Sequence, residues 1–252
     1  MITNKKLHLK GEYNSWFDSS YYHILYENRD YKEAKEFVKT ILKHLKLEKK
    51  SFILDAACGK GRHSIEMEKL GYKVLGIDLS KNSISEAKKF KNKNLDFIIH
   101  DISEPLEKEF DAVFNLFTSF GYHSRKRDLD IIKTIEKNLV NNGIGVIDFF
   151  NLNKVKKELI VNEIINKKNI KFTIKRKVKN GYVIKNISIK DKSERHVFTE
   201  KVNALTLKDF QNYFKKTNLQ IKEIFGNYNL DKFEPNSSSR LIIIFHKKIP
   251  AK

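Results

Sequence analysis

Between Ser51 and Phe149 five short apolar runs alternate with stretches of helical periodicity, and this alternation constrains the fold more than any other feature of the chain. The runs are Ser51–Leu54, Lys73–Asp78, Leu95–Ile99, Phe110–Leu116 and Ile144–Phe149. Between them, a helix is predicted from Arg62 to Gly71. A second is capped by Ser80 and runs to about Phe90, and a third follows Asp128–Leu139. Upstream, Lys32–Leu47 sets Ala34, Phe37, Val38, Ile41, Leu42 and Leu45 three and four residues apart, an amphipathic helix. Strands separated by helices predict a parallel sheet covered on both faces, an α/β doubly wound arrangement.

After Phe150 the rhythm changes. Lys171–Lys179 and Tyr182–Lys190 flank Asn180-Gly181, the pair preferred in a two-residue hairpin turn, and Glu194–Val202 reads as a third strand. A helix at Leu207–Lys216, capped by Thr206, and strands at Gln220–Phe225 and Arg240–Lys247 then return to the α/β pattern. The expected organisation is a single domain over residues 1–252, with an aromatic-rich N-terminal segment (1–31) and an antiparallel β subdomain inserted over 151–203.

The loop Asp55-Ala-Ala-Cys-Gly-Lys-Gly61 lies where the first strand meets the first helix, the place where open α/β sheets bind ligands. Gly59 and Gly61 let the backbone approach a ligand closely. Asp78, at the end of the second strand, is placed to accept both hydroxyls of an adenosine ribose. A dinucleotide fold carries a third glycine where this chain has Ser64, and Asp55 would repel a pyrophosphate. S-adenosylmethionine has no phosphate and carries a sulfonium and an ammonium, so an acid at the head of the loop suits it. The bland alternative is a glycine-containing turn that binds nothing.

ILDAACGKGRHS, GIDLS, the His100-Asp101 pair and FDAVFNLFTSFGYH together resemble the class I S-adenosylmethionine-dependent methyltransferases over roughly residues 51–150. The chain departs from the usual D-x-G-x-G-x-G at Ala57, where a small residue suffices. The resemblance implies a Rossmann-like, mostly parallel seven-stranded sheet ending in an antiparallel strand, with the β insertion after the fifth strand. It implies Asp55 and the Ala57, Cys58, Gly59 and Gly61 backbone near the methionine moiety, with Arg62 beside them. Asp78 and Leu79 fall at the ribose, Asp101 and Ile102 near the adenine, and Asn115 and Phe117 on the floor.

The acceptor is less legible. Asn115-Leu-Phe-Thr-Ser replaces the [DN]-P-P-[YF] motif of amino-group methylases, and the single thiol, Cys58, lies in the cofactor loop rather than where pyrimidine-carbon methylases hold a nucleophile. No His/Asp/Glu cluster has metal-ligand spacing. An oxygen or nitrogen of a small molecule is therefore the expected acceptor. His23 and His123 are candidate general bases, with purely structural roles as the alternative. Tyr13, Trp16, Phe17, Tyr21, Tyr22 and Tyr26 form either a lid or a helix packed on the sheet. Tyr22, Asn227 and Tyr228 are candidate substrate contacts.

Charge bears on partners. The chain is +19, with 43 Lys but only 7 Arg, and net charge rises from +4 over residues 1–150 to +15 over 151–252. Arg is the residue suited to bidentate phosphate recognition, so a solvated Lys-rich surface is favoured over a nucleic-acid footprint. Docking of RNA or protein on the basic half, or cofactor binding without catalysis, are the competing readings. One Cys excludes a disulfide framework. The longest apolar run, Leu241–Phe245, is far short of the roughly 20 residues of a membrane span, and the N-terminus lacks a secretory h-region. These features point to a cytoplasmic protein; the oligomeric state is not indicated.

Overall fold

The computed structural model describes residues 16–27 and 31–249; Tyr13 and the rest of the first fifteen residues of the N-terminal segment lie outside this range. Helices α1 (Ser20–Leu25) and α2 (Tyr31–Leu45) precede the alternating region. There the order is β1 (Phe52–Ala56), α3 (Arg62–Lys69), β2 (Lys73–Asp78), α4 (Lys81–Ala87), β3 (Leu95–Ile99), β4 (Phe110–Asn115), α5 (Arg125–Asn138) and β5 (Leu139–Phe150). After an insertion come α7 (Leu207–Phe214), β10 (Leu219–Phe225) and β11 (Arg240–Lys247). The seven-stranded sheet has the order β10-β11-β5-β4-β1-β2-β3, and β11 runs antiparallel to both its neighbours. This is the Rossmann-like arrangement expected.

Each face of the sheet carries a core. Phe37, Ile41, Met67, Phe97 and Phe114 pack on one side, and Phe110, Ile132, Phe149, Phe210 and Phe245 on the other. The chain leaves β1 toward β2 and later returns on its other side as β4. That reversal opens the crevice at the strands' carboxyl ends. Asn141-Asn142-Gly143 reads as a turn, yet β5 begins before it, at Leu139. The residues form a bulge instead: Asn142 has φ +62°, and pairing with β4 jumps from Phe110–Leu139 to Ala112–Ile144.

The insertion holds α6 (Leu152–Lys157) and a four-stranded antiparallel sheet, β6 (Asn162–Lys167), β7 (Ile170–Lys179), β8 (Tyr182–Asp191) and β9 (Glu194–Asn203), in that order. The sequence signals three of these strands. The fourth, β6, is an edge strand studded with Asn, Glu and Lys, and its turn, Lys168-Asn169, reaches positive φ without a glycine. Lys171, Lys175, Lys177 and Lys179 are exposed, while Phe172 and Ile174 are buried. The inward face buries Phe172, Ile174, Ile187 and Ile189 against Trp16 and Leu25. The N-terminal aromatics thus pack on the small sheet rather than the large one. No helix among the described residues is long and apolar enough to cross a membrane.

Candidate active site

A cavity of about 1010 Å³ opens at the carboxyl ends of β1, β2 and β4. The loop after β1 forms one wall. A methyl group added at Gly59, which has φ +55°, would meet nothing within 4 Å, so this backbone faces open space. Gly61 serves packing instead: a methyl there would lie 2.6 Å from the Phe97 ring. Ala57 also sits at positive φ, +66°. A non-glycine residue pays about 1–2 kcal/mol for that conformation, and glycine gives back about 0.4–1 kcal/mol through the unfolded chain. Ala57→Gly is therefore expected to raise unfolding stability by up to about 1 kcal/mol in denaturant titrations. A clear loss of stability would show that the Ala57 methyl packs favourably.

Asp78 lines the cavity, with Oδ2 accepting from the Gly59 N–H at 2.9 Å and Oδ1 from the Ser80 N–H at 2.8 Å. Each oxygen keeps a lone pair for a second donor. Burial raises its pKa, with the two backbone N–H groups opposing that shift. Asp55 lies behind the loop, buried, and accepts from Ser64 Oγ at 2.5 Å; burial pushes its pKa up to about 6. The Cys58 thiol is buried and pushed well up, which makes it a packing group rather than a nucleophile. An open glycine backbone, an acid aimed at a diol and a second acid behind the loop fit S-adenosylmethionine.

The floor contains residues the motifs do not reveal. Phe117 and Thr118 follow β4 with φ +58° and +59°. Asp148 braces them: its Oδ2 accepts from the Phe117 N–H at 2.8 Å, and its carbonyl accepts from the Thr118 N–H at 2.9 Å. Arg240 donates from Nε to Asp148 Oδ1 at 2.7 Å and from Nη2 to Thr118 Oγ1 at 3.0 Å. The Arg62 guanidinium lies over the Phe117 ring, 4.4 Å from its centroid. A carboxylate inside the apolar run IGVIDFF and an arginine opening RLIIIF are the signals that could have found this group.

The opposite wall comes from the N-terminal segment and the insertion. Phe17, Tyr22, His23 and Tyr26 line it, with Val183, Lys185, Glu200 and Val202 from β8 and β9. Asp18 ties the segment to the ribose corner, its Oδ1 accepting from Ser80 Oγ at 2.6 Å and the Asn82 N–H at 3.0 Å. His23 Nε2 is buried without a hydrogen-bond partner, and burial, helped by the Lys60 charge, lowers its pKa to about 4. His123 also lines the cavity, its pKa lowered by burial and then by Arg127.

Ala57, Cys58, Gly59, Arg62, Asp78, Leu79, Ile102 and Phe117 are brought together on the cavity wall with Tyr22, His23 and His123. Asp55, Gly61, Asp101, Asn115, Asn227 and Tyr228 are not. Asp101 pairs with Arg127 and accepts from Ser103 N–H and Oγ at 2.9 and 2.8 Å. Asn115 is buried, donating from Nδ2 to the Ala56 carbonyl at 2.9 Å. Asn227 spends its side chain on its own loop, accepting from Asn229 and Asp231 N–H groups. Tyr228 donates to Asp148 Oδ2 at 3.1 Å and stacks on Phe37. The placement of Asn227 and Tyr228 at the cofactor's sheet edge is correct only in sequence order: the chain turns them back into the fold.

Comparison with known proteins follows the same outline. A family model described as a methyltransferase domain matches residues 53–143. The putative methyltransferase YqeM of Bacillus subtilis is 35% identical over 107 residues, a stretch covering 40% of this chain but only 43% of that protein. The ubiquinone biosynthesis O-methyltransferase of Pelagibacter ubique is 32% identical over 195 residues, covering 75% of this chain and 68% of the relative. Among solved structures, an S-adenosylmethionine-dependent methyltransferase from Clostridium acetobutylicum superposes with a TM-score of 0.76 at 20% identity, over 90% of this chain and 96% of that one. The fold and loop define a nucleoside-binding α/β protein of the methyltransferase type. The chain belongs to the class I S-adenosylmethionine-dependent methyltransferases, and S-adenosylmethionine is its cofactor.

Proposed function

We propose that the protein transfers a methyl group from S-adenosylmethionine to an oxygen or nitrogen of a small-molecule acceptor. The observation that carries this reading is the continuity of one cavity from the Asp78 corner to the insertion sheet. Small-molecule sites span about 300–1,000 Å³, so this one, at the upper limit, suits a cofactor beside a compact acceptor. The four exposed lysines of β7 do not line it, which leaves the basic surface without a path to the reacting atoms.

Bound S-adenosylmethionine supplies an electrophilic methyl on a sulfonium. The chain's part is to orient the acceptor, exclude water and take up the acceptor's proton. His23 suits the last task, because a pKa near 4 leaves its imidazole neutral at ordinary pH. His23→Ala is expected to lower kcat by about 100-fold or more while leaving S-adenosylhomocysteine affinity unchanged. The wild-type rate should be flat with respect to this group above about pH 5 and fall as the imidazole gains its proton near pH 4. An unchanged kcat in the variant removes His23 from the reaction.

Acceptor class is tested by incubating the protein and radiolabelled methyl donor with metabolite, RNA and protein fractions. Label in the metabolite fraction is expected. Label confined to RNA or protein overturns the small-molecule reading, and binding of the donor without any transfer makes the chain a non-catalytic binder.

A further inference from the structure

The inward face of the insertion sheet is apolar except for one row across its strands. Register places Ile174, Ile187 and Phe198 side by side, then Arg176, Lys185 and Glu200, then Val178, Val183 and Val202. The charged row lines the cavity. Arg176 is committed outward, donating to Glu163 at 2.5 Å and to the Ile160 carbonyl. Lys185 and Glu200 remain, their side chains only 15% and 12% exposed.

Two buried charges in an apolar sheet cost more than the Val or Ile that the neighbouring rows use. Their structural duty explains half of the pair. Glu200 Oε1 accepts from Trp16 Nε1 at 2.7 Å and from the Tyr26 hydroxyl at 2.9 Å, pinning the N-terminal segment. One acceptor atom of an uncharged side chain would do that. Glu200 Oε2 instead stands 3.6 Å from Lys185 Nζ, too far for a direct hydrogen bond. A donor and an acceptor thus stand beside each other on the wall, with Phe17, Tyr22, Tyr26 and Tyr122 among the aromatic residues around the space they face.

We propose that Lys185 and Glu200 form the recognition subsite for the acceptor, and that the acceptor is a hydroxylated ring of sugar type. A hydroxyl accepts from the lysine ammonium and donates to the carboxylate, while the ring lies among the aromatic side chains. An apolar phenol or quinone would bury the same pair unmatched, which a site built for hydrogen bonding penalises strongly. This identification rests on the small-molecule methyl-transfer reading above, and it differs from what the name of the Pelagibacter relative would suggest.

The test is saturation-transfer NMR and calorimetry on the full chain loaded with S-adenosylhomocysteine. The probes are methyl glycosides of aminohexoses and alkyl-substituted catechols of similar size. Glycosides are expected to bind and catechols to bind more weakly. Lys185→Met and Glu200→Gln should each weaken glycoside binding roughly tenfold or more, with melting temperature and S-adenosylhomocysteine affinity retained. The glutamine variant keeps an oxygen for Trp16 and Tyr26, so it separates recognition from pinning. Preference for catechols, binding of neither class, or unchanged glycoside affinity in both variants overturns the subsite. Failure of the parent protein to bind S-adenosylhomocysteine would instead overturn the methyl-transfer reading itself.

Discussion

Replacing Asp78 by alanine is expected to weaken S-adenosylmethionine binding by roughly 10- to 150-fold, as loss of hydrogen bonds to a charged partner worth about 1.5–3 kcal/mol implies. The structure adds a second effect. Asp78 accepts from the backbone N–H groups of Gly59 and Ser80, one on each oxygen, and so couples the glycine loop to the start of α4. Alanine leaves both donors to water. Asparagine, which on the sequence is the gentler change, must set its NH2 against one of these two N–H groups. Asp78→Asn is therefore expected to lower the melting temperature as well as the affinity, with the loss in affinity close to that of alanine. Binding isotherms and melting curves for both variants suffice. Native affinity in Asp78→Ala would remove the ribose assignment.

The other large effect is expected at Asp148. It is buried, holds Arg240, accepts from the Tyr228 hydroxyl and braces two consecutive residues with positive φ. Asp148→Ala strands the Arg240 guanidinium, whose side chain is only 17% exposed. Breaking such a pair by removing one partner costs about 3–5 kcal/mol, and the residual exposure of Arg240 puts the expectation toward the lower end. Urea titration measures it. The double variant Asp148→Ala/Arg240→Leu should recover part of the loss, because no buried charge is then left over. A single variant that unfolds at the parent's denaturant concentration would show that the pair contributes nothing to stability.

Much of the fold was legible because its signals are local. The period-two and period-3.6 runs and the Ser80 cap lie within a few residues of the elements they specify, and Ser80 does accept from the Ser83 N–H as a cap should. The same holds for the loop from Ala57 to Gly61 and for Asp78. What escaped depends on register between distant strands. Lys185 and Glu200 read as ordinary polar positions until β8 and β9 pair and set them opposite each other. Asp148 and Arg240 meet across β5 and β11, 92 residues apart, as a diagonal cross-strand pair. Strand β6 was hidden by its own edge chemistry, since the charges that protect an edge also erase its apolar signature. Asn227 and Tyr228 were misplaced because a position after a strand's end says nothing about which way the following loop folds back.

The segment from Trp16 to Glu27 is fastened at two points, to Glu200 on the small sheet and to Ser80 and Asn82 at the ribose corner. A strap held at both ends cannot lift from one wall without slackening the other. Exchange of either ligand past this strap then requires the same opening, so the two ligands share one gate there. Their dwell times should rise and fall together.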